Sequence, residues 1–231
     1  MGDAQVTLLE AVESYSHRSS SRPGSAHDWS HIQRVRDIAL LLAGTEGADP
    51  LVVEVSALMH DIFDHKITGS YDFARNATIR WLDHHGAPEN LSDQVGSIVH
   101  GISFRGGASV DVELQIEGAC VRDADRLDAM GAIGVARAVS YGAERGQAFW
   151  DRNLIPNLSL DESEYLRAET TTVNHFFEKL LQLRSRLSTK AGIAMGVGRH
   201  RAMVQYLREL LAELDTSGDW LRSFNGEVLL R

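Results

Sequence analysis

Apolar residues recur at helical spacing along most of this 231-residue chain. Three stretches, which begin near residues 35, 173 and 203, each place their apolar side chains on one helical face. The positions on these faces are Val35, Ile38, Ala39 and Leu42, then Val173, Phe176, Phe177, Leu180, Leu181 and Leu187, and finally Met203, Leu207, Leu210, Leu211 and Leu214. Strand-like alternation is scarce: VDVELQI at 110–116 alternates, but the sequence after it is helical. The pattern therefore predicts an all-α fold.

Turn signals divide the chain into about eight to nine helices. SSSRPGS (19–25) and FRGGAS (104–109) are predicted loops, and GTEGADP (44–50) is a turn whose proline opens the next helix. Residues 146–163 show no clear period and are predicted to form either a lid or a packed excursion. No repeat or linker stands out. We therefore expect a single domain over residues 1–231, with its motif-bearing core at about 27–210.

Composition narrows the function classes. The chain is 43% hydrophobic and 24% charged, as in an ordinary globular protein. A net charge of −9 argues against nucleic-acid binding, which requires a basic face. The single cysteine, Cys120, excludes an internal disulfide and a cysteine-rich metal motif. The N-terminus shows no sustained apolar run. We expect a cytoplasmic protein with no membrane or nucleic-acid partner.

The segment LVVEVSALMHDIFDHK (51–66) is apolar enough to be core, yet it ends in two histidines, two aspartates and a lysine. Burying such groups without partners costs several kcal/mol (about 2–7 per neutral polar group). A salt-bridge network, a helix end in solvent or a metal ion can each offset that cost. His60 and Asp61 are adjacent on the helix, so one ion can take a nitrogen and an oxygen from them. Asp64 returns to the face of Asp61 one turn later.

Two further segments carry paired polar groups at helical spacing. In AHDWSHIQRV (26–35), His27 and His31 stand at i and i+4 beside Asp28. In VRDADRLDAMGAIGVAR (121–137), Asp125 and Asp128 stand at i and i+3. A lone helical histidine is usually a structural residue, and an aspartate near a helix start is usually a cap. Only the ordered set, H…HD…D, indicates a shared site.

With these blocks on one chain, the sequence resembles the HD-domain phosphohydrolase superfamily, an all-α fold named after the histidine–aspartate doublet. HDWSHIQRV, ALMHDIFDHK, DADRLDAMGAIGVAR, NHFFEKLLQL and GRHRAMVQYL together cover residues 27 to about 210. They resemble in particular the small bacterial branch that includes nucleotide pyrophosphohydrolases. The family pattern places a single histidine first and the doublet second. The resemblance therefore implies the metal ligands His31, His60, Asp61 and Asp125, and makes His27 a substrate contact.

The implied chemistry is hydrolysis of a nucleotide phosphoanhydride or phosphoester bond, foremost of a nucleoside triphosphate to monophosphate and pyrophosphate, by a water that one divalent ion activates. A mixed nitrogen and oxygen set suits Mn²⁺, Fe²⁺, Ni²⁺, Co²⁺ or Zn²⁺ and is less selective than a thiolate site. We expect Mn²⁺ first, with the other four and Mg²⁺ as alternatives. Asp64 is the first choice of general base. Asp61 is expected to be a catalytic residue as well as a metal ligand. Asp128 is either a substrate contact or a residue that orients a ligand histidine. The expected phosphate-binding groups are Lys66, Arg105, Arg126, Lys179 and, four residues before Lys179, His175.

Other interpretations remain open at this stage. HDWSH resembles a shortened form of the HExxH motif of zinc proteases, but no third-ligand motif follows it. HD-type domains also serve as non-catalytic nucleotide sensors. Within the enzyme class, related folds hydrolyse nucleoside monophosphates, cyclic nucleotides and guanosine tetraphosphate. For an HD-type protein, the expected partner is a small phosphorylated molecule, foremost a nucleotide. We expect the protein itself to be a monomer or a homodimer.

Overall fold

The structure is a computed structural model that describes residues 3–20, 28–63 and 70–230. Within these ranges every regular element is helical and no strand occurs. The described part of the chain has eight α-helices of ten residues or more, four shorter α-helices and one 3₁₀ helix. The all-α prediction is confirmed. The weak strand signal at 110–116 corresponds to no strand, and a helix begins at its last residue, Ile116. None of the helices in the described ranges is long and apolar enough to cross a bilayer.

The chain forms two compact units. Unit 1 consists of Met1–Ser103 with Val112–Asp125, and unit 2 consists of Phe104–Asp111 with Arg126–Arg231. The chain therefore contributes two segments to each unit. That the two units together make one domain stays a prediction.

Among its described residues, unit 1 contains five whole helices and most of a sixth. They are α1 (Asp3–Ser19), α2 (Trp29–Glu46), α3 (Pro50–Met59), α4 (Tyr71–His84), α5 (Glu89–Gly101) and α6 (Ile116–Asp128), whose last three residues belong to unit 2. α3 packs against α1, α2 and α5, and α4 packs against α5. Most of the apolar face predicted for α2 is buried, with Val35, Ala39 and Leu42 fully inaccessible. α3 is thus the central element of unit 1.

Capping residues fix where α2 and α3 begin. The Asp28 carboxylate accepts the amide of His31 at 3.0 Å, which satisfies one of the unpaired N–H groups of the first turn. Gly47 ends α2 with a φ of 76°, a conformation that glycine adopts without a steric penalty. Asp49 caps α3, and Pro50 occupies its first turn, as the sequence predicted. These caps place His31 in the first turn of α2 and His60 directly after α3.

Unit 2 is built around one long helix. Its elements are α7 (Gly131–Glu144), α8 (Glu162–Arg167), α9 (Thr172–Glu178), a 3₁₀ helix (Leu180–Arg186), α10 (Lys190–Leu214), α11 (Asp219–Ser223) and α12 (Gly226–Leu229). α7 packs against α9 and α10, and the 3₁₀ helix packs against the same two. Phe176, Phe177, Met203 and Leu207 are fully buried in its core.

The predicted apolar face from Val173 to Leu187 is buried, but it does not lie on one helix. α9 ends at Glu178, Lys179 adopts φ −136° and ψ −63°, and a 3₁₀ helix follows. The side chain of Gln182 donates to the carbonyls of Phe177 and Glu178, at 3.1 Å each. It thereby satisfies carbonyls that a continuing α-helix would have bonded. Lys179 consequently stands at a helix break rather than in mid-helix.

Residues 146–163 are a packed excursion. Backbone bonds join Ala148 to Thr172 at 3.0 Å and Leu160 to Ala108 at 3.1 Å. The Glu178 carboxylate accepts the amide of Asn157 at 3.2 Å. The Leu160 carbonyl lies where a side chain at Gly106 would stand, 2.6 Å from an ideal Cβ. The backbone of residues 146–163 therefore packs directly against the backbone of the glycine-rich loop at 104–109, within unit 2.

Gly106→Ala is expected to destabilise the protein by about 1–3 kcal/mol, because alanine would have to adopt φ +94° and displace the Leu160 carbonyl. Gly44→Ala is the matched control, since Gly44 is helical with nothing within 4 Å of an added Cβ. It should stabilise by up to about 1 kcal/mol. Urea unfolding followed by circular dichroism measures both. Equal midpoints for the two variants would contradict the described loop contact.

Candidate metal centre

Four side chains of unit 1 meet where α3 ends. His31 comes from α2, His60 and Asp61 directly follow α3, and Asp125 comes from α6. The two histidine Nε2 atoms are 3.2 Å apart, and Asp61 Oδ2 lies 3.3 Å from each of them. Asp125 Oδ1 lies 3.6 Å from Nε2 of His31 and 4.0 Å from that of His60. These are the four residues for which the sequence predicts metal coordination.

The spacing of these donor atoms fits one ion. Nitrogen and oxygen ligands lie about 2.0–2.2 Å from a transition metal, so two ligands at right angles are about 3 Å apart. The separations of 3.2 and 3.3 Å match that geometry, and those of 3.6 and 4.0 Å correspond to wider angles. The donor atoms of His31, His60 and Asp125 all lie within 4.8 Å of one another. The set can therefore hold a divalent cation.

The orientation of His60 also suits a ligand. Its Nδ1 lies 2.7 Å from the carbonyl oxygen of Ala57, so Nδ1 carries the hydrogen and Nε2 presents its lone pair to the cluster. A backbone carbonyl behind a metal-binding histidine commonly fixes the tautomer in this way. Sequence reasoning missed Ala57, because an alanine has no functional side chain. Its carbonyl reaches His60 only because Ala57 lies three residues earlier on α3.

Electrostatics at the cluster favour a positive charge. His31 and His60 are almost fully buried, and burial alone would lower the pKa of His60. The carboxylates of Asp61 and Asp125 and the Ala57 carbonyl outweigh that effect and raise the pKa of His60 to about 9. A proton or a metal ion can supply the charge, and the two compete for the same lone pair.

Three predicted site residues lie outside the described residues: His27, Asp64 and Lys66. Five others belong to unit 2: Arg105, Arg126, Asp128, His175 and Lys179. Their roles as substrate contacts stay predictions.

Arg126 and Asp128 each belong to an ion pair within unit 2. Arg126 binds Asp111 through both terminal nitrogens, at 2.7 and 2.8 Å, and also donates to the Arg186 carbonyl. Asp128 is buried and accepts from Arg137 at 2.9 Å. Sequence reasoning missed Asp111 and Arg137. Asp111 stood in a stretch with strand-like alternation, and no local spacing linked it to Arg126.

His175 and Lys179 each lie beside an aromatic ring. The His175 ring is 6.1 Å from that of Tyr141, and the Lys179 ammonium is 5.5 Å from the centre of the Phe104 ring. The amide of Lys179 donates to the His175 carbonyl, so the predicted spacing of one turn between them is present. Arg105 is half-buried in the loop after Phe104, where its carbonyl accepts the Ser109 hydroxyl.

Comparison with known proteins decides the family. The sequence pattern of the HD domain matches residues 28–130, which include all four residues of the cluster. Over 207 residues the chain is 32% identical to YpgQ of Bacillus subtilis, an uncharacterized protein, with 89% of this chain and 93% of YpgQ covered. The chain belongs to the HD-domain phosphohydrolase superfamily.

Solved structures of HD-domain relatives share the fold. A Lactobacillus plantarum protein superposes with a TM-score of 0.82 at 29% identity, covering 91% of this chain and 98% of its own. Bacillus subtilis YpgQ in complex with ADP gives 0.68 at 30% identity, with 90% and 98% covered. An HD-superfamily hydrolase from Bacillus thuringiensis gives 0.68 at 30% identity, with 91% and 98% covered. HD domains bind divalent metals, and the cluster of His31, His60 and Asp125 is the corresponding feature here.

His60→Ala is expected to abolish tight binding of Mn²⁺, because it removes one of two nitrogen ligands from the cluster. His84→Ala, at the exposed end of α4, is the matched control and should bind as the wild type does. Metal content after dialysis, measured by mass spectrometry, reports the outcome. A metal retained by His60→Ala would instead favour a site based on residues 27–31, as in the HExxH interpretation.

Binding of Mn²⁺ at pH 7 is expected to release about one proton, because the pKa of His60 is raised from 6.5 to about 9 in the metal-free protein. The release should fade as the pH approaches 9, and the apparent affinity should rise over the same interval. Protonated His60 stabilises the metal-free fold below pH 6.5, and that stabilisation is lost as the pH rises through about 9. Calorimetry in buffers of different ionisation enthalpy counts the protons. A release that is independent of pH would contradict this.

Proposed function

We propose that the protein is a divalent-metal-dependent hydrolase of phosphate bonds in nucleotides, acting foremost on nucleoside triphosphates to give monophosphate and pyrophosphate. The observation that carries the proposal is the convergence of His31, His60, Asp61 and Asp125 in unit 1, with their donor atoms 3.2–4.0 Å apart. Mn²⁺ is the proposed ion, and Mg²⁺, Ni²⁺, Co²⁺, Fe²⁺ and Zn²⁺ are the alternatives, because a mixed nitrogen and oxygen set accepts several divalent metals.

Membership of the HD-domain superfamily supports phosphate hydrolysis, and the ADP complex of YpgQ supports a nucleotide as ligand. When bound, the ion supplies polarisation of a phosphoryl group and a water of lowered pKa. The side chains supply the rest. His31 and His60 would provide nitrogen ligands, and the Ala57 carbonyl holds the His60 ring in the tautomer that directs Nε2 to the cluster. The carboxylates of Asp61 and Asp125 make the metal-free site negative. A cation must therefore bind before the site can attract a phosphate.

The remaining roles are proposed from the spacing of these residues and from their place in or beside the blocks that resemble the family. Asp64 takes the proton of the attacking water. Asp61 is the second proposed catalytic residue, in addition to its role as a metal ligand. Lys179, Arg105, Lys66, His27 and His175 contact the phosphates, which carry several negative charges and need cationic partners. Arg126 and Asp128 are proposed as further substrate contacts, and each of them is also engaged in an ion pair inside unit 2.

A panel of nucleoside mono-, di- and triphosphates, cyclic nucleotides and guanosine tetraphosphate, each with Mn²⁺, Mg²⁺, Co²⁺, Ni²⁺ and Zn²⁺, tests the proposal. Separate assays for phosphate and pyrophosphate distinguish the bond that is cleaved. We expect pyrophosphate from a triphosphate with Mn²⁺. Asp61→Ala should lose activity by more than about a hundredfold, since changes behind a ligand already cost ten- to a hundredfold. Asp83→Ala, an exposed aspartate of α4, is the control.

Product identity separates the alternatives. Phosphate from a monophosphate would indicate a nucleotidase, and a monophosphate from a cyclic nucleotide would indicate a phosphodiesterase. Thermal stabilisation by nucleotides without any product over hours would identify a nucleotide-sensing module and contradict the hydrolase proposal.

A further inference from the structure

His31 lies in the first turn of α2, which is the part of a helix that its own hydrogen bonds secure least. α2 begins at Trp29, so His31 is its third residue, and its amide is one of those without an intrahelical partner. Terminal turns open more readily than the middle of a helix. Opening of this turn would carry the His31 ring away from His60, whose Nε2 is 3.2 Å from its own. The place of the ring therefore depends on what holds the amide of His31.

Asp28 holds that amide with two acceptors. Its carboxylate oxygen Oδ1 lies 3.0 Å from the amide nitrogen of His31, and its backbone carbonyl oxygen lies 3.1 Å from the same nitrogen. The carbonyl also accepts the amide of Ile32, at 3.3 Å. Asp28 thus satisfies the first turn of α2 at the residue that carries the proposed metal ligand.

The Asp28 carboxylate is itself held by side chains of α2. The Ser30 hydroxyl donates to Oδ1 at 2.7 Å, and Nη1 of Arg34 donates to the Ser30 oxygen at 3.0 Å. Arg34 lies in the next turn of the helix, so this series of hydrogen bonds joins the second turn to the cap. Each bond in such a series restricts the others. The carboxylate therefore has a defined direction in the metal-free protein.

We propose that Asp28 is a positioning residue of the metal centre, which holds the His31 ring at the cluster by capping the turn that carries it. The inference rests on the proposed function in one respect, since it requires a metal ion at the cluster. Groups behind a ligand that fix its place commonly govern metal affinity.

The two histidine–aspartate doublets of the chain then have different roles. In the second doublet, Asp61 Oδ2 lies 3.3 Å from Nε2 of both His31 and His60, as a ligand would. In the first doublet, Asp28 binds a backbone amide and a hydroxyl of its own helix. The second doublet supplies ligands, and the aspartate of the first supports one.

The affinity of Asp28→Ala for Mn²⁺, measured by calorimetry, tests the role. Alanine has no side-chain acceptor, so we expect the affinity to fall about ten- to a hundredfold, as it does for other changes behind a metal ligand. Asp28→Asn and Asp28→Ser keep an oxygen acceptor and form caps about as good as aspartate. Both should bind Mn²⁺ as the wild type does, because the hydrogen bond and not the charge positions His31.

Asp49→Ala is the matched control, because it removes a cap of the same kind from α3. Asp49 accepts the amide of Leu51 at 2.8 Å, and the ten residues of α3, about 15 Å of helix, separate it from His60. Urea unfolding of the metal-free protein should show similar destabilisation by Asp49→Ala and Asp28→Ala. Only Asp28→Ala should lose affinity for Mn²⁺. An equal loss in both variants would mean that general destabilisation is the cause, and the positioning role would be wrong.

Ser30→Ala keeps the test decisive if Asp28→Ala does not fold. It leaves the cap in place and removes only the hydroxyl that holds the carboxylate. The affinity for Mn²⁺ should fall in the same direction as with Asp28→Ala, but by less. An affinity equal to that of the wild type would contradict the role of the hydrogen-bond series.

The outcomes distinguish this inference from the proposed function. If Asp28→Ala binds Mn²⁺ as tightly as the wild type, or if asparagine and serine lose as much affinity as alanine, the positioning role is wrong and the proposed hydrolase stands. If the wild type binds no Mn²⁺, both proposals are wrong. A loss with alanine that asparagine and serine restore, and that Asp49→Ala lacks, supports the role even in a protein that turns over no nucleotide.

Discussion

Two imidazole nitrogens and two carboxylate oxygens meet at the end of α3, and a positive charge among them stabilises the arrangement. The two buried Nε2 atoms are 3.2 Å apart, and each of them lies within 4.0 Å of both carboxylates. The same charge ties α2, α3 and α6 together at one point. Stability of that region and chemistry at the cluster therefore have a common origin.

Unit 2 orders its irregular backbone by other means. Asp111 accepts from both Arg126 and Arg186, and the carbonyls of three loop residues point to one guanidinium. Planar arginine side chains suit this task, because their donors lie in fixed directions. The network gives a glycine-rich segment the rigidity that a regular helix has from its own hydrogen bonds.

Periodicity predicted the helical fold and most buried faces, because burial of apolar side chains depends on local spacing. His60 and Asp61 stood out as charges at the end of an apolar helix, whereas Asp125 was assigned through the family pattern. The break at Lys179 was not predicted, since it depends on Gln182 reaching two carbonyls, which leaves no periodic trace. Asp111 was missed for a related reason. Its partners lie 15 and 75 residues away, and pairing over such distances is set by tertiary structure.

His60 and Asp61 occupy the turn that directly follows α3, so two of the four proposed ligands sit on a segment with little helical bonding of its own. A bound ion would hold this turn in place, and chelation would loosen the end of α3. Metal supply would thus govern how often this segment opens to proteases.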